Sequence, residues 1–321
     1  MRATGAHRMP RMVSAGGTFD TQAHGKTASG RLVACRMDAI ELTIAPRSRP
    51  VGSGRVERLL PVRQRRMVGP FVFADHIGPD DLAPGSGIDV PAHPHIGLST
   101  LTYLFDGSMV HRDSLGSVQT IEPGAVNWMT AGSGVTHTER SGDRSTARTM
   151  HGLQLWVALP DEAEDGPPGF DHRAAPSIPQ DDVDGVAVRV MAGSAYGMAS
   201  PVPVSSPLVL AEIRLDRRAT LPVTDEHADR ALLVLDGEVE LDGARLPNGH
   251  LTVLSKGSRP VLSGPGTVVL LGGEQVGPRF IWWNFVHSDR DRIEQAKADW
   301  IAQRFPTVPD DHDGWVPLPG S

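Results

Sequence analysis

Apolar and polar residues alternate over short runs through most of this chain, and short alternating runs are the pattern of half-buried β-strands. Ile40, Leu42 and Ile44 begin the series, and Val56, Leu59 and Leu60 continue it. Val68-Gly69-Pro70-Phe71-Val72-Phe73-Ala74-Asp75-His76 then reads as a compact apolar strand beside a Gly-Pro signal. Leu98, Leu101, Tyr103 and Phe105 lead into a hairpin turn at Asp106-Gly107, from which Val110-His111-Arg112-Asp113 returns. More strands are expected at Val126-Asn127-Trp128-Met129, around Leu153, Leu155 and Val157, and at Val186-Ala187-Val188-Arg189-Val190. Helical spacing occurs near the C-terminus, where Ile293, Ala296, Lys297, Trp300 and Ile301 recur after a capping-box-like Ser288 and Asp291, and Pro306 stops the run. Short, evenly spaced strands predict a small antiparallel barrel or jelly roll whose interior can hold one ligand.

The pattern recurs. Leu233-Val234-Leu235-Asp236-Gly237 echoes Tyr103-Leu104-Phe105-Asp106-Gly107, and Asn248-Gly249 echoes Pro123-Gly124, which predicts duplicated barrels. A length of 321 residues accommodates two, and 35 Gly with 27 Pro fit the many turns they need. The expected organisation is a disordered leader at 1–37, a first barrel at 38–160, a linker at 161–195, a second barrel at 196–306 and a tail at 307–321. A net charge of −7, with Lys and Arg dispersed apart from Arg63-Gln64-Arg65-Arg66, gives no footprint for direct nucleic-acid binding. No apolar run approaches the ~18 residues of a membrane span. The single Cys35 cannot form an internal disulfide, and the first residues lack the apolar centre of a secretory signal, so a cytoplasmic location is expected.

Candidate chemistry resides in His93-Pro94-His95 and His137-Thr138-Glu139. Alternate residues of a strand share a face, so His93 and His95 point one way, as do His137 and Glu139. With 13 His in the chain, chance alone supplies roughly half of one His-x-His pair, so one motif decides nothing. Two same-face pairs bordered by turns carry more weight. Three imidazoles and a carboxylate suit a divalent transition metal such as iron, and on an octahedral ion they leave two adjacent positions for water or substrate. The second half offers only the isolated His227 and His250, so no metal and a packing role are expected there. Around the first site, His111 is expected to hydrogen-bond locally, Asp75 and His76 are candidates for orienting a ligand imidazole, and Trp128 and Met129 are read as core or cavity lining.

At these residues the chain resembles the pirins, a family of bicupin proteins. The matching text includes Arg66-Met67-Val68-Gly69-Pro70-Phe71, His93-Pro94-His95-Ile96-Gly97, Asp113-Ser114-Leu115-Gly116, Trp128-Met129-Thr130-Ala131-Gly132 and His137-Thr138-Glu139. In the second half it includes Ile281-Trp282-Trp283-Asn284-Phe285-Val286 and Gln295-Ala296-Lys297-Ala298-Asp299-Trp300, so that the likeness extends over residues 39 to 306. The resemblance implies an all-β fold of two tandem cupin-type β-barrels (bicupin, jelly-roll) with a C-terminal α-helix. It also implies a metal in the first barrel, Fe(II) or another divalent transition metal, held by His93, His95, His137 and Glu139. Gly97-Leu98-Ser99-Thr100 contains no acid, so Glu139 supplies the carboxylate, and Thr138 stands where Ser is more familiar. The implied activity is that of a quercetin 2,3-dioxygenase, an oxidoreductase opening a flavonol or another small aromatic or enolizable substrate with O2, with Glu139 as the catalytic base. The alternative is a non-enzymatic, iron- and redox-dependent binding module that regulates a protein partner, as a transcription co-regulator does, with Arg63, Arg65 and Arg66 as its candidate surface.

Overall fold

Strands with one apolar face must bury it against another layer, and two such sandwiches account for most of the chain. The computed structural model describes residues 39–320, so the expected leader at 1–37 lies outside the described residues. In the first sandwich a seven-stranded sheet runs in the order Gly169–Arg173, Val126–Thr130, Leu98–Asp106, Arg148–Ala158, Phe71–Leu82, Gly54–Leu60 and Arg47–Val51. It packs on a four-stranded sheet ordered Asp89–His95, Val135–Ser141, Met109–Asp113 and Val118–Ile121. The second sandwich repeats the plan with an eight-stranded and a four-stranded sheet. The repeat seen in the sequence rests on the same contact in both halves. Gly124 N–H donates to the Leu104 carbonyl at 2.8 Å, and Gly249 N–H donates to the Val234 carbonyl at 2.7 Å.

The two large sheets share a core. Leu101, Tyr103, Leu153 and Leu155 from the first pack with Leu210, Leu233, Val253 and Leu271 from the second. The first large sheet is thus covered on both faces, and Leu98 to Leu104 are buried without a break although Ser99, Thr100 and Thr102 interrupt the apolar pattern. Tyr103 crosses the junction, its hydroxyl donating to Glu212 at 2.9 Å. Inside the second barrel Val188, Ile213, Leu232, Leu262 and Val268 belong to one apolar cluster, which fills the interior with side chains.

Residues 161–195, expected to be a linker, carry strands. Gly169–Arg173 pairs with Val126–Thr130 at the edge of the first large sheet, while Gln180–Val183 and Val186–Ala195 pair with each other in the second. Gly169–Arg173 contains one apolar residue, Phe170, so no alternation marks it, and backbone pairing at a sheet edge makes it a strand. Ile40–Ile44 likewise crosses over to pair with Leu251–Leu254 of the second sheet.

The helix is Arg290–Ile301, burying Ile293, Ala296 and Trp300. Its cap is Asp289, whose side chain accepts from Asp291 N–H, because the expected cap Ser288 is bound to Glu164 instead. Just before it, the hairpin of Phe280–Trp282 and Phe285–His287 lies against the first barrel through an Ile96–Phe285 bridge. The tail returns there too, with Val316 N–H donating to the Ala92 carbonyl at 2.8 Å. Among the described residues no helix is long and apolar enough to cross a membrane.

Candidate metal centre

Asp89–His95 and Val135–Ser141 pair antiparallel with His93 opposite His137. Period-two alternation then brings His95 to the same face, and the ligating nitrogens of His93, His95 and His137 all fall within 4.8 Å of one another. His95 Nε2 and His137 Nε2 are 3.1 Å apart. Two nitrogens bound at right angles to one ion with bonds of ~2.1 Å would be ~3.0 Å apart, so the pair fits adjacent positions on an octahedral metal.

The outer ring nitrogens are already engaged. His93 Nδ1 lies 2.8 Å from the Pro91 carbonyl, and His95 Nδ1 lies 3.1 Å from the Asn284 carbonyl. A carbonyl only accepts, so each Nδ1 carries the hydrogen and each Nε2 presents a lone pair. Burial pushes His93 down to about 4, against the Pro91 carbonyl that favours its charged form, and holds His95 and His137 well below the ordinary histidine value. Neutral imidazoles are the form that coordinates a metal.

Glu139 lies outside this group of mutually close donors and on the wall of the cavity beside it. The register between the two strands shifts between His137 and Glu139, which pairs with Val90, and the Thr102 hydroxyl lies 3.4 Å from Glu139 Oε1 and 2.8 Å from Gln154 Oε1. Burial raises the Glu139 carboxyl, opposed by His111 and the Thr102 hydroxyl. The cavity has a volume of about 340 Å³ and opens on His93, His95 and Glu139. Phe73 and Trp156, stacked 3.9 Å apart, line it with Val56, Ile77, Val90 and Met109. Arg58, held by Asp75 through two hydrogen bonds of 2.8 Å, adds the cation at the wall. Trp283, Asn284 and Val316 complete the lining from the far end of the chain.

Several sequence expectations are redirected. Asp75 holds Arg58, and His76 Nε2 lies 2.9 Å from His151 Nε2, so both groups have partners other than the ligand imidazoles. Trp128 and Met129 pack in apolar clusters and not on the cavity wall. Arg65 is turned into the junction, bound to Glu41 at 3.0 Å and Asp229 at 2.9 Å, and so leaves the expected basic patch. His111 does bond locally, to Asp113 at 3.1 Å, and also reaches His137 Nδ1 at 3.3 Å. In the second barrel His227 faces the Ser194 carbonyl and His250 that of Asn248. Among the described residues, the histidine trio of the first barrel is the one cluster of three or more such donors. Sequence reasoning missed the Pro91 and Asn284 carbonyls, because a main-chain oxygen leaves no mark in residue type.

Both halves of the chain match known proteins. The family model for pirin matches residues 53–157, and that for the pirin C-terminal cupin domain matches residues 210–306. A pirin-like protein of Caulobacter vibrioides is 48% identical over 286 residues, covering 87% of this chain and 99% of its own. A solved structure of quercetin 2,3-dioxygenase from Acinetobacter baumannii superposes with a TM-score of 0.80 at 37% identity, covering 87% of this chain and 94% of that one. The bacterial pirin YhhW of Escherichia coli, solved in complex with nickel(II), shares the fold at a TM-score of 0.56 and 18% identity, over 73% of this chain and 99% of its own.

Proposed function

This chain belongs to the pirin family, whose two cupin domains it carries in tandem, and from that premise we propose that it is a metal-dependent dioxygenase of the quercetin 2,3-dioxygenase type, acting on a flavonol or a similar planar, enolizable aromatic. The observation that carries the proposal is the convergence of three neutral imidazole donors at the end of a cavity walled by aromatic side chains. The donor set fits a divalent transition metal. His93, His95 and His137 would hold it, and Glu139 would complete the set by a rotation from the wall. Fe(II) is the expected ion, because three imidazoles with one carboxylate leave open positions of the kind non-haem iron uses. Such a metal lowers the pKa of a bound hydroxyl and provides the electronic route to dioxygen.

The chain's own residues do the rest. Trp156 and Trp283 present apolar surface that receives a planar ring and excludes water from it, with Phe73 held between Trp156 and the Arg58 guanidinium. Glu139, on the cavity wall when it is not drawn to the metal, takes the proton of the substrate hydroxyl. Arg58 stabilises negative charge that develops on the substrate, with Asp75 fixing its direction. The test is oxygen consumption and quercetin loss by protein loaded anaerobically with Fe(II). Stoichiometric loss of both, absent in His93→Ala, is expected. Loaded protein that leaves quercetin untouched in air would sink the proposal.

A further inference from the structure

The three imidazoles of the proposed centre are not held alike. His93 and His95 each face a carbonyl, which fixes their tautomers without further help. His137 faces a ring instead: its Nδ1 lies 3.3 Å from His111 Nδ1, and a histidine nitrogen can donate or accept. The ambiguity is resolved one residue further out. His111 Nε2 lies 3.1 Å from Asp113 Oδ2, while Asp113 Oδ1 accepts from Leu115 N–H at 2.9 Å and Ser117 N–H at 3.0 Å. Asp113 and His111 are both buried, and the Phe170 ring lies on His111 at 4.6 Å with the planes 17° apart, so neither group has room to turn away.

We infer that Asp113 and His111 form a relay that sets the tautomer of His137. The carboxylate accepts from His111 Nε2–H, His111 Nδ1 accepts from His137 Nδ1–H, and His137 Nε2 is left with its lone pair directed at the metal. This rests on the metal-centre reading above, although the tautomer itself can be read without metal. Both are positioning residues: Asp113 acts on His137 only through His111. The opposite arrangement would give His137 a neutral Nε2–H bond to His95, 3.1 Å away, but would turn the His111 lone pair towards a buried carboxylate. A hydrogen bond to an ionised acceptor is roughly twice as strong as a neutral one, so the carboxylate decides the direction.

Asp113→Asn tests the relay with little change of shape. The Leu115 and Ser117 N–H groups hold the amide oxygen where Oδ1 stood, so the amide N–H is directed at His111 Nε2 and the relay runs backwards. Nitrogen-15 imidazole spectra of metal-free protein, with the His137 signals assigned through His137→Gln, should show wild-type His137 protonated on Nδ1 and the variant protonated on Nε2. Nickel(II) titration should then give a ~10–100-fold weaker affinity for the variant, the range found when an outer partner of a ligand histidine is lost. Wild-type His137 protonated on Nε2 overturns the relay whatever the variant does. A folded variant that keeps the wild-type tautomer, or flips it with unchanged nickel affinity, also overturns it. Wild type with the expected tautomer but no nickel binding leaves the relay standing and removes the metal reading instead.

Discussion

His93 and His95 are prepared for coordination by the carbonyls behind them as much as by the neighbours in front. Pro91 and Asn284 each occupy an Nδ1, so the nitrogens that converge are those with free lone pairs. Replacing His93 with Ala removes one donor and opens the cavity end on which it sits. Nickel(II) affinity, measured by calorimetric titration, is expected to fall by more than the ~100-fold that the loss of an outer partner costs. Stability of the metal-free variant in urea should fall by ~1–3 kcal/mol, since the ring's packing on His95 and His137 goes together with its hydrogen bond to Pro91. The three histidines were legible because strand periodicity needs no tertiary information to put His93 and His95 on one face. Glu139 was legible as a member of the same strand, but the register shift that sets it on the cavity wall came only from pairing with Val90.

At the scale of elements, the C-terminal hairpin works as part of the first barrel. Its two-residue turn places Trp283 at φ +51°, a conformation that bulky residues rarely adopt, with Asn284 next to it aimed at His95. The Trp283 ring packs with Trp300 and Phe285, which holds the turn in place. Gly97 makes the seam possible: it sits at φ +66°, and a Cβ there would run into the Val286 carbonyl of the hairpin. Gly97→Ala should cost on the order of 3 kcal/mol in urea unfolding. It should also weaken nickel(II) binding, because the hairpin that carries the Asn284 carbonyl can no longer seat. A variant with wild-type stability would show that the seam is looser than its geometry. The helix was legible from its spacing and the hairpin strands from their apolar run. Their docking on a barrel nearly two hundred residues earlier in the chain was not, since it depends on shape at Ile96 and Gly97.

At the scale of the molecule, the shared core between the large sheets is supplemented by a buried ionic cluster around Asp229. Asp229 of the second half accepts from Gln275 at 2.7 Å and Gly69 N–H at 3.4 Å, and pairs with Arg65 at 2.9 Å. Burial works to raise its carboxyl, but Gln275, Arg65, Lys256 and the Gly69 N–H outweigh it and hold the group below the ordinary carboxylate range. A folded-state pKa below the unfolded one means that the contribution is complete above the unfolded value, ~3.9, and is lost as pH falls through the folded value. Asp229→Asn is therefore expected to cost ~1–3 kcal/mol at pH 7. The gap between variant and wild type should narrow below pH ~4, read from urea melts at both pH values. A gap independent of pH would mean that the side chain acts there by shape alone.

The sequence by itself determined the strands, the duplication and the three histidines, because each depends on local periodicity and on turn chemistry that a few neighbouring residues dictate. Tertiary structure alone decided the exchange of edge strands, the pairing of Gly169–Arg173 with the first large sheet and the return of Asn284 and Val316 to the first barrel. Those choices come from unpaired main-chain groups finding partners across long stretches of chain, and every residue type carries the same N–H and C=O to offer.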